Sequence, residues 1–306
     1  MKRLLTLVAL AAALTASAQV KVVKLWDNTS APHSNEDAGP QKEKNGNLYN
    51  TVDTELFIYP AAPDKATGQA VVVCPGGGYR FVSMPREGHE VGEWLSAEGI
   101  TVVALKYRLP NGHCQVPLED VEAALRYIRD HAAEYGVDPS RVGIMGFSAG
   151  GHLAAHYSTA YDCPEVRTLF PDSKPVQASI LCYPVITADP AWAHLGSIDA
   201  LTGKTERTPE EIQKFSCEKL VTDHTPSAFL WHTAADGGVP VMNSLLYAQA
   251  LAAHGIPFEL HVYPEGEHGL ATSDARTLDK VLPEHEYAHA WLDCAKKWLH
   301  ITLKQA

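Results

Sequence analysis

The sequence predicts an α/β domain in which a mostly parallel central sheet is flanked by helices, with a small insertion folded over the sheet edge. Three observations carry this expectation. Short runs rich in valine, isoleucine and leucine recur along the chain, amphipathic segments lie between several of them, and a serine bracketed by glycines follows one of the runs. Strand and helix in alternation produce parallel strands buried on both faces.

Seven runs read as strands: ELFIY (55–59), AVVVC (70–74), TVVALKY (101–107), RVGIMG (141–146), ASILCY (178–183), AFLWHT (228–233) and FELHVY (258–263). Between the third and fourth, Leu118, Val121, Leu125 and Ile128 recur at helical spacing, with Pro117 in the first turn, where its missing N–H is tolerated. Residues 186–225 break the rhythm with Pro190, Gly196, Gly203 and Pro209 among short helical pieces such as PEEIQKF. This stretch is expected to be an insertion after a strand, not a separate domain. Residues 24–50 are polar and rich in turn formers, and are expected to lie along the surface. Near the end, Pro283 opens a terminal helix to which Trp291, Leu292, Ala295, Trp298 and Leu299 give an apolar face.

The first residues have the order of a secretory signal peptide: Lys2 and Arg3, an apolar stretch from Leu4 to Leu14, then Ala16-Ser17-Ala18. Cleavage is expected before Gln19, leaving 19–306 as one domain, exported to the periplasm or the medium. The apolar stretch falls short of the roughly 20 residues that span a bilayer, so no membrane anchor is expected. No cysteine follows the cleavage site to carry a lipid. Formal charge is -11, and loss of Lys2 and Arg3 makes it more negative still. Nucleic acid is therefore excluded as a partner, since its binding rests on basic residues meeting phosphates. A neutral ligand suits this balance, and an acidic polymer suits it less.

Six cysteines, at 74, 114, 163, 182, 217 and 294, contain no C-x-x-C pair and no regular spacing, which excludes a zinc ribbon and a redox motif. Cys74 and Cys182 end strand-like runs and are expected to be buried. The sequence selects no disulfide pairing and no oligomeric state.

Chemistry is expected where strands of an open parallel sheet end and the chain leaves in loops. After RVGIM comes Gly146-Phe147-Ser148-Ala149-Gly150, the G-x-S-x-G pattern between a strand and a helix. A turn that lifts a serine off a strand leaves no room for side chains two positions to either side. The serine oxygen then sits at the positive end of a helix, where developing negative charge is favoured. A serine hydroxyl needs a histidine to take its proton and an acid to orient that histidine. Asp236, in AADGGVP after AFLWHT, and His268, in EGEHGL after FELHVY, stand in the loops where acid and base belong, in the order serine, acid, histidine. Donors for an oxyanion are expected from the amide of Ala149 together with Gly77 and Gly78 of CPGGGY (74–79). The choice among the three glycines of that loop stays open. Each donor is worth on the order of 3 kcal/mol in the transition state.

These residues resemble the α/β-hydrolase esterases, and within them a bacterial group of acetylxylan-esterase-like and lipase-like carbohydrate esterases. The likeness runs through APHSN (31–35), PGGGY, KYRLPNG (106–112), DPSRVGIMGFSAGGHLA (138–154), HLGSIDALTGK (194–204), VPVMNSLLYAQAL (239–251) and YPEGEHGL. It implies Ser148 as nucleophile, Asp236 as acid, His268 as base and Gly76 to Gly78 as the oxyanion loop. Relatives often carry histidine where this chain has Pro75, and a pair of aspartates where it has Ala235 and Asp236. The resemblance implies an acylated polysaccharide or oligosaccharide as substrate, acetylxylan first, with feruloyl or other short acyl esters as alternatives and no cofactor.

A competing hydrolytic signal is HEYAH (285–289), which matches the helical zinc pattern H-E-x-x-H. Zinc needs a third ligand and an open coordination position on a cleft, and neither is visible here. No metal is expected. His152 and His232 are expected to pack or hydrogen-bond, and Lys106, Tyr107 and Arg108 to support the loop that follows them. A serine peptidase on the same fold is one rival, although such enzymes usually add a large gating domain before the hydrolase. A non-catalytic carbohydrate-binding protein is another, and it would more readily have lost a triad member. The insertion and the APHSN segment are expected to shape the substrate cleft.

Overall fold

A computed structural model describes residues 19–304, so the expected signal segment, 1–18, lies outside the described residues. The strands are β1 (Lys21–Asp27), β2 (Lys42–Lys44), β3 (Asn47–Tyr49), β4 (Asp53–Tyr59), β5 (Ala70–Cys74), β6 (Thr101–Lys106), β7 (Val142–Phe147), β8 (Ala178–Cys182), β9 (Ser227–Thr233) and β10 (Phe258–Tyr263). Eight of them form one sheet in the order β1-β4-β6-β5-β7-β8-β9-β10, and β2 pairs with β3 in a separate hairpin. Every pairing from β6 to β10 is parallel, while β4 runs antiparallel to both β1 and β6. All seven predicted runs are strands, displaced by two residues at most.

Residues 24–50 lie along the surface as expected, but with more regular structure than their turn formers suggest. The sheet begins just before, at Lys21, with β1, whose sequence KVVKLWD mixes lysine with apolar residues and is only partly covered. Charges on an exposed edge discourage pairing with another chain, and they also erase the apolar run that marks a strand. The central strand β5 is the opposite case, with all five residues buried.

The helices are α1 (Glu90–Ala97), α2 (Val116–Asp130), α3 (Ala149–Ala160), α4 (Pro164–Leu169), α5 (Leu195–Thr202), α6 (Pro209–Lys214), α7 (Met242–Ala253), α8 (Pro283–Ala288) and α9 (Trp291–Thr302). Helices α2 and α3 pack together on one face of the sheet, and α1 and α9 meet on the other. A seam of aromatic rings holds the second face: Trp291 stacks on Trp231 at 5.0 Å and meets Trp94 edge-on at 5.3 Å. Truncating a buried tryptophan such as Trp291 to alanine costs about 3–5 kcal/mol. The single terminal helix expected from Pro283 onward is in fact two, because α8 and α9 join through a tightened turn in which Leu292 N–H donates to His289 O at 3.1 Å.

Of the three residues expected to support the loop after β6, Arg108 ties the chain to α2 beyond that loop, while Lys106 and Tyr107 support other elements. Buried Lys106 pairs with Asp53 and Glu55, and Tyr107 donates its hydroxyl to Pro75 O at 2.8 Å, bracing the loop after β5. Buried Arg108 clasps Asp120, donating from Nη2 to Oδ1 at 2.7 Å. The insertion carries α5 and α6. The edge that it covers is the row of strand carboxyl ends, not an outer strand: Gly112, after β6, donates its amide to Ala200 O at 3.3 Å.

Candidate active site

Ser148 stands between β7 and α3 with φ 53° and ψ -120°, a conformation that few non-glycine residues adopt. The close approach of neighbouring backbone explains its glycines. A Cβ on Gly146 would lie 2.1 Å from Gly150 O, and one on Gly150 would lie 2.1 Å from Cys74 O. The turn is fastened on both sides, since Ser148 N–H donates to Cys182 O at 3.0 Å and its carbonyl accepts from Val185 N at 3.0 Å.

The loops after β9 and β10 bring Asp236 and His268 to this serine. His268 Nε2 lies 2.8 Å from Ser148 Oγ across 120 residues of chain, and His268 Nδ1 lies 2.7 Å from Asp236 Oδ2. Asp236 Oδ1 accepts the amides of Gly238 and Val239, each at 2.8 Å, so both carboxylate oxygens are held. Burial alone would raise the pKa of Asp236. Hydrogen bonds from His232 and His268, the charge of His268 and the Val239 amide outweigh it and hold the acid well below the usual carboxylate range. The residue is thus an anion aimed at one nitrogen of His268, leaving the other to the serine.

Two neighbours of the site have contacts to it that the sequence does not disclose. His232 hydrogen-bonds as expected, and one of its partners is the acid: buried on β9, its Nδ1 lies 2.8 Å from Ser244 Oγ, and its Nε2 lies 3.0 Å from Val239 O and 3.3 Å from Asp236 Oδ2. With a carbonyl and a carboxylate both facing it, Nε2 must carry a proton. Glu87 is the second. Its sequence setting, MPREGHE, reads as a solvated turn, yet it is buried behind the glycine loop. One oxygen accepts Gly76 N–H at 2.7 Å and the other accepts Tyr183 O–H at 2.7 Å. Tyr183 in turn accepts Ala271 N–H at 2.9 Å and sets its ring edge-on to His268 at 5.1 Å. Desolvation raises the Glu87 pKa despite these bonds. Nothing in the periodicity signals either residue, because their roles come from burial.

The Gly76 amide is spent on Glu87, so the uncommitted donors of the loop are narrowed to Gly77 and Gly78. Both line a cavity of about 540 Å³ with Ser148, His268, His194 and Gly196. Gly77 has φ +128°, and a Cβ there would lie 2.1 Å from Phe81 O. Ala149 begins α3, where amides of the first turn have no partner within the helix. His194 and Gly196 come from the insertion, which therefore helps to form the cavity wall as expected. The APHSN segment does not line it. Asn35 is buried and donates to Thr51 O at 2.9 Å and to Leu109 O, which anchors this otherwise surface loop to the chain on either side of the β4–β6 pair.

The HEYAH histidines are committed elsewhere. His285 is buried with Nε2 2.9 Å from Glu267 Oε2 and Nδ1 accepting Leu282 N–H at 3.2 Å. His289 donates from Nδ1 to Thr272 O at 2.8 Å. Among the described residues, the grouping of three side chains that could hold a metal ion is a different one, Glu259, His261 and Cys294, with ligand atoms within 4.8 Å of one another. There His261 already pairs with Glu259 at 2.6 Å. His152 meets the expectation of a packed residue, between Tyr79 OH at 2.9 Å and Phe215 O at 3.0 Å. Cys74 and Cys182 are buried, and all six cysteines among the described residues are free.

Comparison with known proteins places the chain among esterases. The BD-FAE family model matches residues 56–251. An acetylxylan esterase of Xylanibacter ruminicola is 39% identical over 210 residues, which are 68% of this chain and 42% of that protein. Endo-1,4-beta-xylanase B of Butyrivibrio fibrisolvens is 36% identical over 228 residues, 72% of this chain and 35% of that one. The chain thus spans less than half the length of either relative. Among solved structures, an acetyl ester-xyloside bifunctional hydrolase from Caldicellulosiruptor lactoaceticus superposes with a TM-score of 0.74 at 33% identity, covering 92% of this chain and 96% of that one.

Proposed function

This chain belongs to the BD-FAE family of α/β-hydrolase esterases, and from that premise we propose that it is an exported serine esterase that removes acetyl groups from a plant polysaccharide such as xylan. The observation that carries the reading is the continuous line Asp236–His268–Ser148, with contacts of 2.7 and 2.8 Å.

In this mechanism His268 Nε2 takes the Ser148 proton as Oγ attacks the ester carbonyl. Asp236 fixes the proton on Nδ1 and balances the imidazolium that forms. The tetrahedral oxyanion is met by the amides of Ala149 and of Gly77 or Gly78, at the positive end of α3. Glu87 keeps the glycine loop in place by holding Gly76 from behind. His268 then protonates the leaving sugar hydroxyl, and a water activated by the same imidazole releases acetate from the acyl-serine. No step requires a metal or cofactor. The xylan-related relatives support the substrate class, and residues 1–18 support export.

The test is acetate release from acetylated xylan, with chelator present, by residues 19–306 and by the same protein with Ser148→Ala. Release that disappears only in the variant supports the serine mechanism and the substrate together. Release that survives in the variant, or that needs added metal, overturns the mechanism. An active enzyme on aryl acetates that leaves the polymer untouched overturns the substrate.

A further inference from the structure

A second cavity, of about 650 Å³, opens beside the first, and the proposed reaction makes no use of it. Its walls come from the loop after β5 with Tyr79 and Arg80, the loop after β6 with Asn111, and the insertion with Asp199 and Lys204. Arg80 lines both cavities, two residues beyond the glycine loop. Among the described residues it is the one lining residue that the two cavities share.

The charges around Arg80 are unevenly settled. Asp199 is taken by Arg207 at 2.6 Å, and Lys204 by Glu211 at 2.5 Å. On the other side, Glu87 is buried and occupied by Gly76 and Tyr183, and Arg86 donates to Gly269 O at 2.9 Å. Among the described residues Arg80 makes no ion pair and no side-chain hydrogen bond, and it is exposed. Gly196 lies alongside it without a side chain to compete for it: a Cβ added there would stand 3.8 Å from Arg80 Nη2, in ordinary van der Waals contact. His194, in the wall of the first cavity, has its pKa lowered by burial, then by His268 and by Arg80 itself, so it adds no charge of its own at neutral pH.

A chain of net charge -11 disfavours anions in general. A single unpaired guanidinium at the junction of two cavities reverses that locally, for one small anion placed beside the scissile bond. Its planar fork matches a carboxylate through two parallel hydrogen bonds. Asn50 and Asn111, farther along the second cavity, offer amide donors and acceptors suited to hydroxyls.

We propose that the second cavity is a subsite for an acidic sugar of the substrate, with Arg80 pairing a uronate carboxylate carried near the ester. The inference rests on the esterase reading given above and refines it: the overall charge argues against a polyanion, and the subsite selects an occasional acidic branch on a neutral chain.

Binding decides it first. In the Ser148→Ala protein, which cannot turn substrate over, calorimetry compares xylotetraose with xylotetraose carrying one glucuronate. The acidic sugar is expected to bind about fivefold more tightly at low salt, as an exposed charge pair allows, and the margin should shrink as salt is added. Adding Arg80→Gln should abolish the margin, and Arg80→Lys should keep part of it. Equal binding of the two sugars, or a margin that survives Arg80→Gln, overturns the subsite. Turnover then separates the two readings. With acetylated forms of both oligosaccharides, the ratio of kcat/KM for acidic over neutral substrate is taken within each variant. A wild-type ratio near one overturns the subsite and leaves the esterase standing. Hydrolysis of aryl acetate with no release from either oligosaccharide overturns the polysaccharide reading instead, and the binding comparison still decides the subsite.

Discussion

His268 and His285 sit in neighbouring segments near the carboxyl end, each beside a carboxylate and each within a motif that reads as hydrolytic. His268 gives one nitrogen to Asp236 and turns the other to Ser148 at the floor of a cavity. His285 gives one to Glu267 and the other to the Leu282 amide. A histidine does chemistry when one nitrogen is fixed and the other is left facing a space that a substrate can enter. The second nitrogen, more than the carboxylate, separates these two.

The comparison can be broken most severely at the serine. Ser148→Ala should lower kcat by about 10⁴ or more, read as burst-free hydrolysis of an aryl acetate. Asp236→Asn should come next, at roughly 10³ to 10⁴, because an amide can present its own proton to Nδ1 and leave the wrong nitrogen protonated toward the serine. An activity within tenfold of wild type would mean that the acid is not Asp236. His285→Asn belongs at the other extreme. It should leave kcat within twofold, with or without chelator, and remove about 1 kcal/mol of stability in thermal unfolding through its lost hydrogen bonds. Loss of activity on chelation would restore the metal reading of HEYAH.

His232 sharpens the comparison, because it touches the acid and not the serine. The Asp236 pKa is depressed in the folded state, so its contribution to stability is present above the unfolded value of about 4 and is lost as pH falls below it. His232→Gln removes one source of that depression. The variant should therefore lose less stability than wild type as pH falls from about 4 towards 2, the range between the unfolded and the depressed folded values, with its starting stability at pH 6 already lower. An unchanged pH dependence would assign His232 to packing alone.

What the sequence discloses follows from where each residue stands. Ser148, Asp236 and His268 are legible because each comes directly after an apolar run that can only be a strand, and parallel strands deliver their ends to one side. The insertion shows itself by interrupting the alternation. Glu87 and His232 stay hidden, since a carboxylate in a polar turn and a histidine in a strand look the same whether or not they meet a reacting group. Strand β1 hides for a related reason: half-covered and studded with lysine, it has no apolar period to reveal it. Arg80 reads as a loop residue until two cavities are seen to meet at it.

The left-handed backbone at Ser148 has a further consequence. Glycine adopts φ +53° freely, whereas serine is held there at a cost of roughly 1–3 kcal/mol. Residue 148 is therefore a point where persistence of the fold and turnover pull in opposite directions. Ser148→Gly should be inert yet melt a few degrees higher than the wild type. A copy of this protein released from selection for activity would gain stability by that one replacement, so glycine at this turn is the mark to expect in a lineage that has kept the architecture and given up the reaction.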